Sequence, residues 1–251
     1  MKILISNDDG IDSLGLKALV AAFAENGDEV FVAAPKSEQS GMAHAMTVHR
    51  PIEFAEREDF IPLGAKKAYF VDGTPADCVK SFLEFLSDEK INAVVSGINN
   101  GANLATDVVY SGTVGAALEG FLHDIPAFAV SIDVASTIPL NAAAKEAATF
   151  VAKQMQKGGA PTLLNINFPK AYQNDRPQYK ATRLARRDYK NAYVFHTNNT
   201  GRKWLSVQGE IVDSQKGEGT DVFAVEHGFI AVTRLLSDVS DHDFADGDII
   251  V

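Results

Sequence analysis

The residues best placed to do chemistry come early in the chain, at Asn7-Asp8-Asp9-Gly10, directly behind the apolar run Ile3-Leu4-Ile5. Two adjacent carboxylates at the end of a buried strand are costly, because like charges held close raise each other's pKa unless something positive lies between them. A divalent cation resolves that cost. Two other loops have the composition to join the pair: Pro35-Lys36-Ser37-Glu38-Gln39-Ser40-Gly41 and Ser96-Gly97-Ile98-Asn99-Asn100-Gly101-Ala102-Asn103. With Asp8 and Asp9 as anionic oxygens, a hydroxyl such as Ser40 and an amide oxygen such as Asn99 make a hard, all-oxygen set. Such a set suits Mg²⁺, Mn²⁺ or Ca²⁺ rather than a thiolate-seeking metal. The competing explanation is local, with either aspartate capping the next helix or shaping a turn with Gly10.

A second candidate is Tyr110-Ser111-Gly112-Thr113-Val114-Gly115-Ala116-Ala117, where small residues and two hydroxyls open a helix. Free N–H groups at a helix N-terminus beside Ser111 and Thr113 form an anion site that needs no arginine. That matters because no Lys or Arg occurs between Lys90 and Lys145. By itself the segment reads more readily as an ordinary helix start, and its force comes from lying just downstream of the Asn99 loop.

Other chemistries are not signalled. The histidines at 44, 49, 123, 196, 227 and 242 show no metal-ligand spacing, and only His44, near the Ser40 loop, is expected close to a site. There is no G-x-S-x-G elbow, no G-x-x-x-x-G-K-[ST] loop and no G-x-G-x-x-G fingerprint. Cys78, the single cysteine, reads as a small core residue and excludes an intramolecular disulfide or a multi-cysteine zinc site. Asp77 reads as a supporting or first-turn charge.

These loops need elements to position them, and the hydrophobic pattern supplies a βαβ opening. Lys2 to Ser6 reads as a buried strand, Leu14 to Asn26 as a helix ending at Gly27, and Glu29 to Ala34 as a strand halted by Pro35. A helix begins with Thr74 as N-cap and Pro75 at its first position, and runs to about Leu86. Asn92 to Ser96, Pro126 to Ile132 and Thr162 to Ile166 read as strands, separated by helices at Gly112 to Leu122 and Leu140 to Lys157. Strands alternating with helices of this length imply an α/β fold: a Rossmann-like, doubly wound, mostly parallel sheet over roughly residues 1–170. In such a sheet, ligands bind beyond the carboxyl ends of the strands, where the three loops converge. Residues 171–251 read as a β-rich extension, with strands or hairpins at Tyr179 to Leu184, Ala192 to His196 and Lys203 to Val207. Charge is split within it. Lys170 to Lys203 holds nine basic and two acidic residues, and Glu210 to Asp248 holds two basic and ten acidic. These are either two solvated faces or segments that pair within or between subunits.

The 251 residues carry a net charge of -10, which disfavours capture of duplex nucleic acid or of an anionic membrane. At 27.0 kDa, surface scaling allows about 70% of the chain's surface to be buried. No apolar run approaches the ~20 residues of a membrane helix. The short run after Met1-Lys2 is no secretion signal, and together with the lone cysteine this places the expectation in the cytoplasm.

The blocks ILISNDDG (Ile3 to Gly10), AAPKSEQSG (Ala33 to Gly41), GTPADCV (Gly73 to Val79), VVSGINNGANL (Val94 to Leu104), YSGTV (Tyr110 to Val114) with Glu119-Gly120, and Thr220-Asp221 through Thr233 resemble the SurE survival protein family of 5'-nucleotidases. They lie in the family's order along nearly the whole chain. The resemblance implies a metal-dependent phosphatase that hydrolyses nucleoside 5'-monophosphates, with one divalent cation per subunit, Mg²⁺ or Mn²⁺. It also implies a homodimer or homotetramer whose C-terminal extension is exchanged between subunits. Carried over residue by residue, it assigns the metal to Asp8, Asp9, Ser40 and Asn99, catalysis to Asp8 and Asp9, and phosphate binding to Asn99, Ser111, Gly112 and Thr113. Val232-Thr233-Arg234-Leu235 departs from the family's usual Val-Thr-Pro-Leu, and Asp238-Val239-Ser240 from Asp-x-Thr, both away from the metal loops. The alternatives are a broader phosphatase acting on 3'-nucleotides or short polyphosphate, and a module that binds metal or phosphate without catalysis.

Overall fold

The structure, a computed structural model, describes residues 1–240; His242 and the end of the acidic stretch lie outside the described residues. The first half runs β1 (Lys2–Ser6), α1 (Leu14–Glu25), β2 (Glu29–Pro35), β3 (Phe54–Glu56), β4 (Ala65–Val71), α2 (Pro75–Ser81), β5 (Ala93–Asn100), α3 (Gly112–Leu122), β6 (Ala127–Ile132), α4 (Leu140–Lys157) and β7 (Leu163–Phe168). Then follow β8 (Tyr179–Thr182), β9 (Arg186–Lys190), β10 (Tyr193–Thr197), β11 (Lys203–Val207), β12 (Glu210–Ser214), α5 (Asp221–Glu226) and β13 (Ile230–Leu235).

Nine strands form one sheet in the order β3-β4-β2-β1-β5-β6-β7-β13-β8. From β4 to β7 all neighbours are parallel, giving the doubly wound arrangement expected. Strands β1, β5, β6 and β7 are buried along nearly their whole length, and β1, β6 and the start of β5 read as apolar runs, because both faces of the sheet are covered. Alternate residues serve opposite faces: Ile3, Ile5 and Val95 pack under α1 and α4, whereas Leu4 and Val94 pack under α2 and α3. Each fully buried side chain of this size is worth about 1.5–3 kcal/mol.

Strand order reverses between β1 and β5, so their carboxyl ends flank the crevice where α/β sheets bind ligands. Both carry the loops singled out in the sequence.

Beyond residue 170 the chain divides. Strands β13 and β8 extend the core sheet past β7, with β13 antiparallel to β7. The remaining strands form two antiparallel ribbons, β10–β11 and β9–β12. The second ribbon accounts for the split charge at its centre, since basic β9 lies against acidic β12 and Arg187 pairs with Asp213 at 2.6 Å. Among the described residues, no helix is long and apolar enough to cross a membrane.

Candidate active site

Asp8 follows β1 and is buried; Asp9 is half-buried. The chain turns there because the Asn7 side chain donates to the Gly10 carbonyl at 3.0 Å and to Ser13 Oγ at 2.7 Å. Ser13, not either aspartate, caps α1 by accepting from the Leu16 N–H. The carboxylates are thereby left to other work, and the local capping explanation for them fails.

Asp8 is held by the first turn of α3. Thr113 donates its hydroxyl to Asp8 Oδ1. Gly112 allows the approach, since a Cβ there would sit 2.9 Å from the Asp8 Cβ. Burial pushes the Asp8 carboxyl up to about 6, with Asp9 adding and Thr113 opposing. Asp9 is also raised by burial, against the Asn100 N–H that donates to it at 3.2 Å.

Asn99 donates its amide nitrogen to the Gly101 carbonyl at 2.7 Å, which leaves the amide oxygen for a ligand. Ser40 is exposed and donates to Glu38 at 2.7 Å. Its loop is tied to β1, since the Gln39 N–H donates to the Asp8 carbonyl at 2.7 Å. Asp8, Asp9, Ser40, Asn99 and Ser111 line one cavity of about 520 Å³. Gly112 and Thr113 do not; they lie behind Asp8. Ser111 caps α3, accepting from the Val114 N–H at 3.1 Å.

The donors fit a hard divalent cation. Four of the cavity's lining residues are carboxylates, Asp8, Asp9, Glu38 and Asp107, and none among the described residues is Lys, Arg or His. No three His, Cys, Asp or Glu side chains among the described residues form a metal cluster, so a cation here relies on the two aspartates plus neutral oxygens.

His44 is not in the cavity. Its Nε2 lies 2.7 Å from Glu119 on α3, which strains the expectation that it sits near the chemistry. Cys78 is buried in the core, and Asp77 closes a capping box with Thr74 at the start of α2.

Sequence reasoning placed Asn103 and Tyr110 in its candidate segments without giving either a role, and missed Asp107 and Tyr189 as cavity residues. Asn103, in the loop after β5, is fixed to the neighbouring strands, its backbone N–H donating to Asn167 on β7 and its amide to Ser131 on β6. Tyr189 arrives from β9 and donates its hydroxyl to Asp107 at 2.7 Å, an arrangement with no local sequence signal. Asp221, buried at the start of α5, accepts from the N–H groups of Ala105 and Ala185 and so joins the segment after β5 to the approach to β9. The Thr220-Asp221 block was the available signal.

Fold and site together define a doubly wound α/β protein with an acidic, oxygen-rich cavity at its switch point, beside the N-terminus of α3. The model of the family Survival protein SurE matches residues 3–191, and the chain belongs to that family. It is 40% identical over 243 residues to "5'-nucleotidase SurE" of Heliobacterium modesticaldum, covering 96% of this chain and 88% of that one. It is 39% identical over 245 residues to the protein of the same name from Moorella thermoacetica, covering 97% and 93%. Among solved structures it resembles the SurE protein of Aquifex aeolicus, with a TM-score of 0.78, 33% identity and 96% of each chain covered.

Proposed function

We propose that this chain is a divalent-cation-dependent 5'-nucleotidase, hydrolysing nucleoside 5'-monophosphates to nucleoside and phosphate. The observation that carries the chemistry is the convergence of Asp8, Asp9, Asn99 and Ser40 on one cavity at the switch point, with no basic side chain lining it among the described residues. The activity follows the name that relatives at about 40% identity carry over nearly their whole length.

Asp8, Asp9, Ser40 and Asn99 would hold the cation, with Mg²⁺ or Mn²⁺ matching the donors. When bound, such a cation supplies charge stabilisation at the phosphoryl group and lowers the pKa of a bound water. Asp8 or Asp9 orients or deprotonates the attacking water. Ser111, at the N-terminus of α3, binds the equatorial oxygens of the phosphate with Asn99 or Asn100. Thr113 holds the Asp8 carboxylate, so its part in phosphate binding is indirect.

The chain acts as a homo-oligomer in the cytoplasm. Support for self-association comes from the β10–β11 ribbon, which exposes Tyr193, Phe195, Trp204, Leu205 and Val207.

The test is phosphate release from nucleoside 5'- and 3'-monophosphates and an aryl phosphate, with metal stripped and then Mg²⁺ or Mn²⁺ restored. Metal-restored turnover that favours the 5'-monophosphates is expected. Absence of turnover with either metal would mean that the acidic loop binds without cleaving.

A further inference from the structure

The cavity is lined mostly by polar side chains. Its two aromatic side chains among the described residues, Tyr110 and Tyr189, are 64% and 45% exposed. Large aromatic surface left in water beside a binding site is available to a ligand with a flat face. The cavity's volume, about 520 Å³, is within the usual range for small-molecule sites.

Tyr110 is held through its backbone and Tyr189 through its hydroxyl. The Tyr110 N–H donates to the Asp107 carbonyl at 2.9 Å, and the Tyr110 carbonyl accepts from the Ala43 N–H at 2.9 Å. The Tyr189 hydroxyl donates to Asp107 Oδ2 at 2.7 Å. Asp107 is in turn pinned by Arg187 at 2.9 Å, and Arg187, nearly buried, is held from the other side by Asp213. This brace fixes Tyr189 although its ring is nearly half exposed, which lowers the entropy lost when something packs on it.

The lining has no cation of its own among the described residues, and three of its four carboxylates, Asp8, Asp9 and Glu38, repel a phosphate ester, the fourth being paired with Arg187. Beyond a bound cation and the neutral donors at Ser111, Asn99 and Asn100, further affinity for a nucleotide is available at the uncharged end of the substrate. We infer that Tyr110 and Tyr189 form the nucleobase platform of this site, with Asp107 and Arg187 as the positioning residues that hold it. This rests on the nucleotidase assignment and adds what it lacks, the part of the protein that distinguishes a nucleotide from a bare sugar phosphate.

The experiment compares adenosine 5'-monophosphate with ribose 5-phosphate, which keeps the ester and the sugar and lacks the base. KM and kcat are measured with metal for wild type, Tyr189→Ala, Tyr110→Ala and Tyr189→Phe, together with equilibrium Kd values for both compounds. Base stacking on an aromatic ring is worth enough that Tyr189→Ala should raise KM and Kd for the nucleotide by roughly fivefold or more. The rise for ribose 5-phosphate should be much smaller, and kcat for the nucleotide should change less than KM. Tyr189→Phe keeps the ring and should retain most of the preference, which separates stacking from a role of the hydroxyl. Equal binding of the two compounds by wild type, or parallel losses for both in Tyr189→Ala and Tyr110→Ala, would overturn the platform. The Kd comparison needs no turnover. A protein that cleaves neither compound yet shows the base-dependent difference in Kd would refute the phosphatase activity and leave the platform standing.

Discussion

At the scale of single residues, the site is a buried carboxylate whose orientation is set by a neighbour that never reaches the cavity. Asp8 is 4% exposed, and Thr113 fixes it from α3. Removing that hydroxyl in Thr113→Val changes little volume but frees the carboxylate and leaves it one hydrogen bond short. Outer partners of metal ligands typically account for about 10–100-fold in metal affinity or activity. Thr113→Val should therefore raise the metal concentration giving half-maximal turnover by about that factor, with an unchanged circular dichroism spectrum. An unaltered metal titration would show that Asp8 needs no such support. Asp8→Asn keeps the shape and removes the charge, so most activity should disappear while the fold persists. Wild-type turnover in that variant at saturating metal would remove Asp8 from the mechanism. The pair Asp8-Asp9 was legible in the sequence because adjacent acids behind a buried strand are anomalous. The role of Thr113 was not, because a hydroxyl in a first helical turn has several ordinary uses.

At the scale of elements, the loop that carries Ser40 is strapped to the helices beneath it. His44 meets Glu119 on α3, the Ala45 carbonyl accepts from Thr74, and the Thr47 N–H donates to Asp77. Gly115 lets the loop lie on α3, since a Cβ there would come within 2.2 Å of the Ala43 carbonyl oxygen. His44, and after it Lys80, holds the Glu119 carboxyl down to about 2 against its burial. A carboxyl depressed in the folded state contributes stability above its unfolded value of 4.5, and that contribution is lost as the pH falls from there toward about 2. Glu119→Gln should lower Tm at neutral pH by several degrees, on the scale of roughly 2–4 °C per kcal/mol for a chain of this size. The difference from wild type should shrink as the pH falls through that window. A gap independent of pH would assign the loss to packing alone. The strands under these loops were readable because both their faces are buried, as in the unbroken burial of β6 and β7. Strand β4 escaped because Lys66 and Lys67 interrupt its apolar pattern where it faces water. Strand β13 escaped because its partner β7 lies more than sixty residues earlier, and its antiparallel return to the sheet has no local signature.

At the scale of the whole molecule, the sheet that holds the cavity loops also continues through β13 and β8, and the two ribbons are built from the chain between those strands. The β9–β12 ribbon is held together by the Arg187 pair with Asp213 and anchored to the core through the Arg187 pair with Asp107 and through Thr106, which donates to the Arg187 carbonyl. The β10–β11 ribbon has no comparable anchor described: its residues pair with each other, His196 stacks on Trp204, and Tyr193, Phe195, Leu205 and Val207 remain exposed. An isolated two-stranded ribbon is marginal in water, so one that keeps this much apolar surface gains stability by covering it. A second copy of the chain is the occupant that the family resemblance supplies, and it was the apolar alternation of Ala192 to His196 and Lys203 to Val207 that marked these strands in the sequence. The expected outcome is an oligomer for wild type by sedimentation equilibrium. The double variant Phe195→Asp with Leu205→Asp should shift it toward monomer, because charge placed in a closing apolar interface costs more than the contact contributes. Both positions are surface residues in the single chain, so its far-ultraviolet spectrum should not change. A wild-type monomer at micromolar concentration, or an oligomer that survives the double charge, would show that the ribbon does not join the subunits.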